Sequence, residues 1–363
     1  MTDREQQILA LLKQDPLISQ QSLADIVGIS RSAVAGHIMN MTNKGIIQGK
    51  GYILADSDYA VVVGGANMDI LGRPNNNFLQ GDSNPGTVSC SAGGVGRNIA
   101  ENLARLGSDT RLISAIGKDT YGQDILRQCR QANIDMQATL QLSDANTSTY
   151  LSVLDGDNDM HVAIADMAIL ERLTPEVLLQ QHAILQRANL IIVDANLSDD
   201  ALQYLFSNYA DKPLFVDTVS SAKAKKILPY LSAIHTLKPN IKEAQELSGI
   251  SYHNHDDLPR LAAWFHEQGV NRIFLSLGAE GVFFSDHGHQ GLMAPVKVEI
   301  LNANGAGDAF LAGLAHSYLK QWSIEQATQF AIAAAAIALN HVATINPNMS
   351  EISVNRILKE SVC

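Results

Sequence analysis

The chain has 363 residues, 46% hydrophobic and 17% charged, with 26 glycines and 10 prolines. That is the composition of globular domains with sizeable cores, and it excludes disordered, fibrous and disulfide-scaffold classes. A net charge of −11 provides no global attraction for nucleic acid or an anionic membrane, so any such grip is local. Cys90, Cys129 and Cys363 are widely spaced and form no C-x-x-C pair, which fits a reducing cytoplasm. MTDREQQ at the start carries no leader pattern and no apolar run reaches about 18 residues, so no membrane span is expected.

Residues 1–55 carry five basic and four acidic groups, a net of +1 against −12 for the remainder. Ile8, Leu9, Leu11 and Leu12 predict one helical stripe, and Leu23, Ile26 and Val27 a second after a Ser19 cap, broken by Gly28. Ser30 caps a third helix with Val34, Ile38 and Met41 on one face, and GIIQGKGYIL at 45–54 reads as a Gly-punctuated β-hairpin. Three helices and a hairpin resemble a winged helix-turn-helix with SRSAVAGHIMNM as recognition helix. The resemblance implies DNA as a partner, with Arg31, Ser32 and His37 facing a groove and Lys44 and Lys50 near phosphates. Packing or dimerisation alone is the competing reading, since +1 is a weak footprint.

Residues 55–59 are the expected linker, and from Tyr59 to the end the pattern predicts a second domain. AVVVGGAN (60–67), RLISAIG (111–117), NLIIVDAN (189–196), PLFVDTV (213–219), IHTLKPN (234–240) and RIFLSLG (272–278) read as buried strands. Amphipathic helices alternate with them at 97–106, 222–231, 258–268 and 326–340. The expected fold is therefore α/β, a Rossmann-type and mostly parallel sheet flanked by helices, with ligands at the carboxyl ends of the strands. Segments near 82–92 and 147–164, the latter alternating like antiparallel strands around DGDN, predict a small projecting β lid.

NANGAGDAFLAGLAHSYL (302–319) places Gly305, Ala306 and Gly307 before an amphipathic helix starting near Asp308. Small residues there let successive N–H groups converge on an anion at the helix N-terminus, with Asp308 at the lip as a proton acceptor. The alternative is a glycine loop with Asp308 as helix cap. CSAGGVGRNIAENLARLG (90–107) also opens a helix with glycines, but GGVGRN is not G-x-G-x-x-G and PGTVSCSA is a poor first strand, so a nicotinamide site is not expected. His253-x-His255 and His287-x-His289 lie in polar stretches without cysteines and read as solvated loop histidines rather than a metal site.

These two glycine motifs, with GGANMD (64–69), KPNIKEAQEL (238–247) and SLGAEG (276–281), resemble over residues 59–345 the ribokinase, or PfkB, family of sugar and nucleoside kinases. DSNPGTV (82–88), NTSTYLSVLD (146–155), VAIADM (162–167) and ELSGI (246–250) are similar to the bacterial pseudouridine kinases within it. The resemblance implies a ribokinase-like fold that uses ATP and Mg²⁺ to phosphorylate the 5′-hydroxyl of a nucleoside, pseudouridine first, with another nucleoside or a sugar next, in a cytoplasmic homodimer. It makes Asp308 the base and Gly305, Ala306 and Gly307 the N–H cradle. Asn67, Asp69, Gly93, Gly94 and Asn98 would hold the sugar, with Thr149 and Asp166 near the nucleobase. Asn240, Ser276, Gly278 and Gly281 would line the ATP site, and Glu243 would hold Mg²⁺ through water. Asn302 stands where the family signature begins with Asp, so monovalent-cation activation is not expected. A ligand-sensing transcriptional regulator on the same fold is the competing class.

Overall fold

The computed structural model describes residues 1–47, 58–155 and 160–360. The chain divides into two compact units, Met1–Ser57 and Asp58–Cys363.

In the first unit, helices Asp3–Gln14, Gln20–Val27 and Arg31–Asn43 begin after Thr2, Ser19 and Ser30, and each of these side chains accepts the N–H three residues on. Such caps satisfy donors that the first helical turn leaves unpaired. Gly28 ends the second helix in the left-handed region at φ 70°. The core is Ile8, Leu12, Leu23, Ala24, Val34, Ile38, Met41 and Ile47. Its stripe is narrower than the spacing predicts. Leu9 and Leu11 are only partly buried against it, and Ile26 is 60% exposed because Ala24 takes the inward place on that short helix. Lys44 also departs from expectation: its Nζ donates to both Glu5 carboxylate oxygens at 2.9 and 3.0 Å. It fastens the end of the third helix to the start of the first instead of standing free for a phosphate. The hairpin expected at 45–54, with Lys50, lies mostly outside the described residues.

The second unit is an α/β fold. Its strands are β1 (Tyr59–Val63), β2 (Asn67–Pro74), β3 (Gly86–Gly93), β4 (Asp109–Ile113), β5 (Ala115–Gly117), β6 (Ile134–Asp135), β7 (Leu140–Leu142), β8 (Thr149–Leu154), β9 (Met160–Asp166), β10 (Leu190–Asp194), β11 (Leu214–Asp217), β12 (Thr236–Leu237), β13 (Arg272–Ser276), β14 (Val282–Ser285) and β15 (Gln290–Met293). Nine of them form one sheet in the order β15-β14-β13-β12-β11-β10-β1-β4-β6, parallel from β13 to β6 and antiparallel at the β14 and β15 end. Two apolar cores cover its faces. The chain runs outward from β1 through β4 to β6, then restarts on the other side of β1 at β10. Between β1 and β10 the connections diverge, and the crevice at their carboxyl ends is where such sheets receive ligands.

The lid is a separate four-stranded sheet, β3-β2-β8-β9. Here the expectation of one strand over 60–67 is corrected: the chain leaves the main sheet after Val63, and Asn67 opens β2 of the lid. A run of apolar residues cannot reveal a strand that changes sheets. The single helix expected at 222–231 is also two pieces, Ser221–Ala224 and a 3₁₀ segment Lys225–Ala233 holding Pro229, because proline has no N–H for an α-helical bond.

Candidate active site

At the β1–β10 crevice the organising side chain is Asp194, the last residue of β10 and fully buried. Its carboxylate accepts the N–H of Gly65 at 2.7 Å, of Gly96 at 2.9 Å and of Asn196 at 2.9 Å. It thereby ties the end of β1, the start of the helix Val95–Arg105 and its own strand end into one knot. Burial pushes the Asp194 carboxyl up, against these N–H groups. The backbones around it nearly touch: a Cβ on Gly94 would lie 2.5 Å from Gly65 O, and one on Gly93 would lie 2.1 Å from Asp69 Oδ2. Sequence reasoning missed Asp194, whose only signal is its place at the end of the apolar run LIIVD.

The helix Ala306–Leu319 starts two residues before the expected point. Its N-cap is Gly305, at φ 80° and without a side-chain cap, so Asp308 sits inside the first turn and is not the cap. The N–H groups of Ala306, Gly307 and Asp308 have no carbonyl behind them in the helix, which leaves them to an anion. A Cβ on Gly305 would lie 2.5 Å from Thr344 O, so the segment after the helix Ile324–Leu339 backs the cradle. Asn302 serves that backing: its Nδ2 donates to Val342 O at 3.0 Å and its Oδ1 accepts Asn304 N–H at 2.9 Å.

Asp308 Oδ2 accepts from Asn98 Nδ2 at 2.9 Å, which joins the two glycine motifs across 210 residues. Burial pushes the Asp308 carboxyl up to about 7, reinforced by the Asp217 and Asp194 charges and opposed by Asn98 and Lys238. A base whose pKa lies near neutrality is matched to accepting a hydroxyl proton at physiological pH.

Lys238 is a second residue the sequence reading did not single out. Its Nζ lies 3.1 Å from Asp217 Oδ2, and a Cβ on Gly307 would stand 3.1 Å from the same nitrogen. Burial works against its charge, but Asp217, Asp308 and Glu243 hold the ammonium above the usual lysine range. A fixed cation therefore stands beside the open N–H groups. Behind it Val219 sits at φ 62°, a left-handed conformation that is strained for a β-branched side chain. Its N–H donates to Asp217 Oδ1 at 2.8 Å. This tight turn presents Asp217 to Lys238 and Thr218 to Glu243, whose Oε2 accepts the Thr218 hydroxyl at 2.6 Å.

Asn240 and Glu243 form a reciprocal capping box at the helix Ile241–Ser248. Their place is still informative: Asn240 bridges to Ser276 beside the β12–β13 ends. Gly278 is exposed at φ 62° with open space around it, whereas a Cβ on Gly281 would strike Met293 O at 2.1 Å, so Gly281 serves a close backbone approach. In the lid, register brings Asn67 opposite Gly93 and Met68 opposite Thr149, which pairs with Asp166. Asn67 Nδ2 donates to Asp69 Oδ1 at 2.6 Å, and burial pushes the Asp69 carboxyl up against that bond and the Arg97 charge. Thus Asp69, Gly93 and Asn67 converge, Asn98 joins Asp308, and Asp166 lies exposed at the end of β9. In the first unit Arg31 and Ser32 are exposed on the third helix, while His37 Nδ1 is buried with no hydrogen-bond partner among the described residues. His255 Nε2 lies 2.6 Å from Glu280, and His287 packs its ring on His266.

Residues 57–351 match the pfkB family of carbohydrate kinases. The chain is a PfkB-family carbohydrate kinase. Residues 1–48 match winged helix-turn-helix DNA-binding domains. The kinase is 43% identical over 351 residues to the uncharacterized sugar kinase YeiI of Escherichia coli K12, covering 96% of this chain and 97% of that one. It is 42% identical over 311 residues to the pseudouridine kinase of the same organism, covering 85% of this chain and 99% of that one. Ribokinase of Arabidopsis thaliana, solved with ribose and ATP, shares the fold with a TM-score of 0.76 at 22% identity over 84% of this chain and 99% of its own. No helix among the described residues is long and apolar enough to cross a membrane.

Proposed function

We propose that this PfkB kinase transfers the γ-phosphoryl group of ATP to the 5′-hydroxyl of a nucleoside, with pseudouridine as the preferred acceptor. The observation that carries the reading is Asp308: a carboxylate lifted to about 7 in the first turn of a helix with three open N–H groups. In this reading Asp308 takes the hydroxyl proton as the oxygen attacks phosphorus. The N–H groups of Ala306 and Gly307, with Lys238, stabilise the charge on the transferring oxygens more strongly in the transition state than before it. Asn67 and Asp69 hold sugar hydroxyls at the foot of the lid.

The nucleobase needs room beside the sugar. A cavity of about 900 Å³ is lined by Asp166, Asn196, Ser198, Lys223 and Leu170, Asn196 and Leu170 are also the side chains nearest to where a Gly65 Cβ would stand, and in this reading the cavity takes the base. A free pentose leaves such a space unfilled. The name of the 42% identical relative supports pseudouridine within this class.

Glu243 fits a water-held Mg²⁺: Oε2 is taken by Thr218 and the Asn240 N–H, and Oε1 makes no hydrogen bond among the described residues. Mg²⁺ keeps several of its waters, so one carboxylate acting through water suffices. When bound, the ion neutralises phosphate charge as it is redistributed. The lid exposes Val88, Val162 and Ile164, which supports a homodimer through that sheet. A second reading, ligand-dependent DNA contact through Arg31, Ser32 and His37, is favoured by the winged-helix match and is compatible with catalysis.

The test is coupled ADP release with Mg-ATP across pseudouridine, uridine, inosine, ribose and fructose phosphates. The expected result is a kcat/KM for pseudouridine at least about tenfold above the others, about 1.4 kcal/mol of transition-state discrimination. Preference for a phosphorylated sugar overturns the nucleoside assignment. A ligand-dependent shift of an operator-like duplex with no turnover favours the regulator.

A further inference from the structure

Beneath the site lies a buried chain of side chains that the mechanism above does not use. Arg97, only 3% exposed, donates through Nη1 to Ala92 O at 3.0 Å and to Asn98 Oδ1 at 3.2 Å, and through Nη2 to Glu101. Glu101 in turn accepts from Arg105 Nε at 2.8 Å, and Arg105 Nη1 donates to Pro347 O at 3.0 Å. The other end of the Asn98 amide, Nδ2, donates to Asp308. An amide has one accepting and one donating end, and its orientation follows from its partners. With the amide turned over, Oδ1 would face a carboxylate and Nδ2 would face a guanidinium, two like-to-like contacts in a poorly solvated place.

We propose that Arg97 is a positioning residue of the kinase: by occupying Asn98 Oδ1 it fixes the amide so that Nδ2 points at Asp308 and holds the carboxylate for proton transfer. Glu101 clamps Arg97 along the same helix, and Arg105 anchors that clamp to the segment following the Thr344 backing of the cradle. The Arg97 charge also acts on the Asp69 carboxyl, so this buried cation bears on both halves of the site. The remaining charges around Asp308 are Lys238, Asp217 and Asp194. The proposal rests on Asp308 as the base, and it says nothing of which alcohol is phosphorylated.

The experiment compares R97A with R97M/E101M, because R97A strands Glu101 in the core while the double replacement removes the ion pair together. Both are made alone and on an N98A background. The expected result is a kcat lowered about 10- to 100-fold with KM for ATP within about twofold, and no further loss once Asn98 is Ala. The folded-state pKa of Asp308, read from the pH dependence of the stability difference between the chain and its D308N form, rises in R97M/E101M. That second readout needs no turnover, so it stands even if no nucleoside is phosphorylated. Equal losses with and without Asn98, or an unmoved Asp308 pKa, overturn the proposal.

Discussion

The kinase opens two helices with glycines, and the two openings work in opposite ways. At 93–96 the missing side chains let backbones touch: a Cβ on Gly94 would strike Gly65 O and one on Gly96 would lie 2.8 Å from Gly64, while Asp194 binds both segments. At 305–307 the backing is on one side only, at Thr344, and the other side is left open with Lys238 as its nearest neighbour. The first opening is a joint and the second is a socket. A glycine motif thus states that something approaches closely, without saying whether it is the chain itself or a ligand.

The largest expected effect falls on the group that spans both openings. Asp308→Ala removes the proton acceptor and lowers kcat about 10³-fold or more while ATP binding by calorimetry stays within a few-fold. Retained turnover would separate the socket from the chemistry.

Substitutions at the glycines sharpen the contrast. Gly94→Ala forces a Cβ into Gly65 at φ 97° and is expected to destabilise the fold by about 3 kcal/mol, seen in urea titration. Gly307→Ala meets a single side-chain atom, Lys238 Nζ at 3.1 Å, and no backbone, so stability stays within about 1 kcal/mol while kcat falls about tenfold. Equal unfolding of both variants would erase the distinction.

The smallest effect is set by pH. Folding raises the Asp308 pKa to about 7, so the folded chain prefers the protonated acid, and stability from this group is lost as pH rises from about 4 through 7. Asp308→Asn should therefore raise the melting temperature at pH 8. The gain should vanish near pH 4. In the active enzyme the acid limb of kcat/KM lies near 7, not near 4.

Much of the site was legible because its residues act locally. Gly305 to Asp308 form one helical turn, Asn240 and Glu243 form one capping box, and the Ser19 and Ser30 caps of the first unit follow from serines before apolar periodicity. Lys238 and Asp194 were not singled out because their meaning depends on partners far along the chain, Asp308 and Gly307 for the one, Gly65 and Gly96 for the other. Asn67 was assigned to the wrong strand because alternation in a short apolar run does not record which sheet receives it.

By itself the order of residues determined the Ser19 and Ser30 helix caps, most of the buried strands, the two glycine openings and the acid beside the second, since each depends on neighbours within a turn or a strand. Only the tertiary structure decided that Asn98 meets Asp308, that a buried lysine stands at the socket, and that Asp194 locks the joint. Those pairings bridge 129 and 210 residues for Gly65–Asp194 and Asn98–Asp308, and they arise because the connections reverse between β1 and β10, bringing strand ends distant in sequence to one crevice.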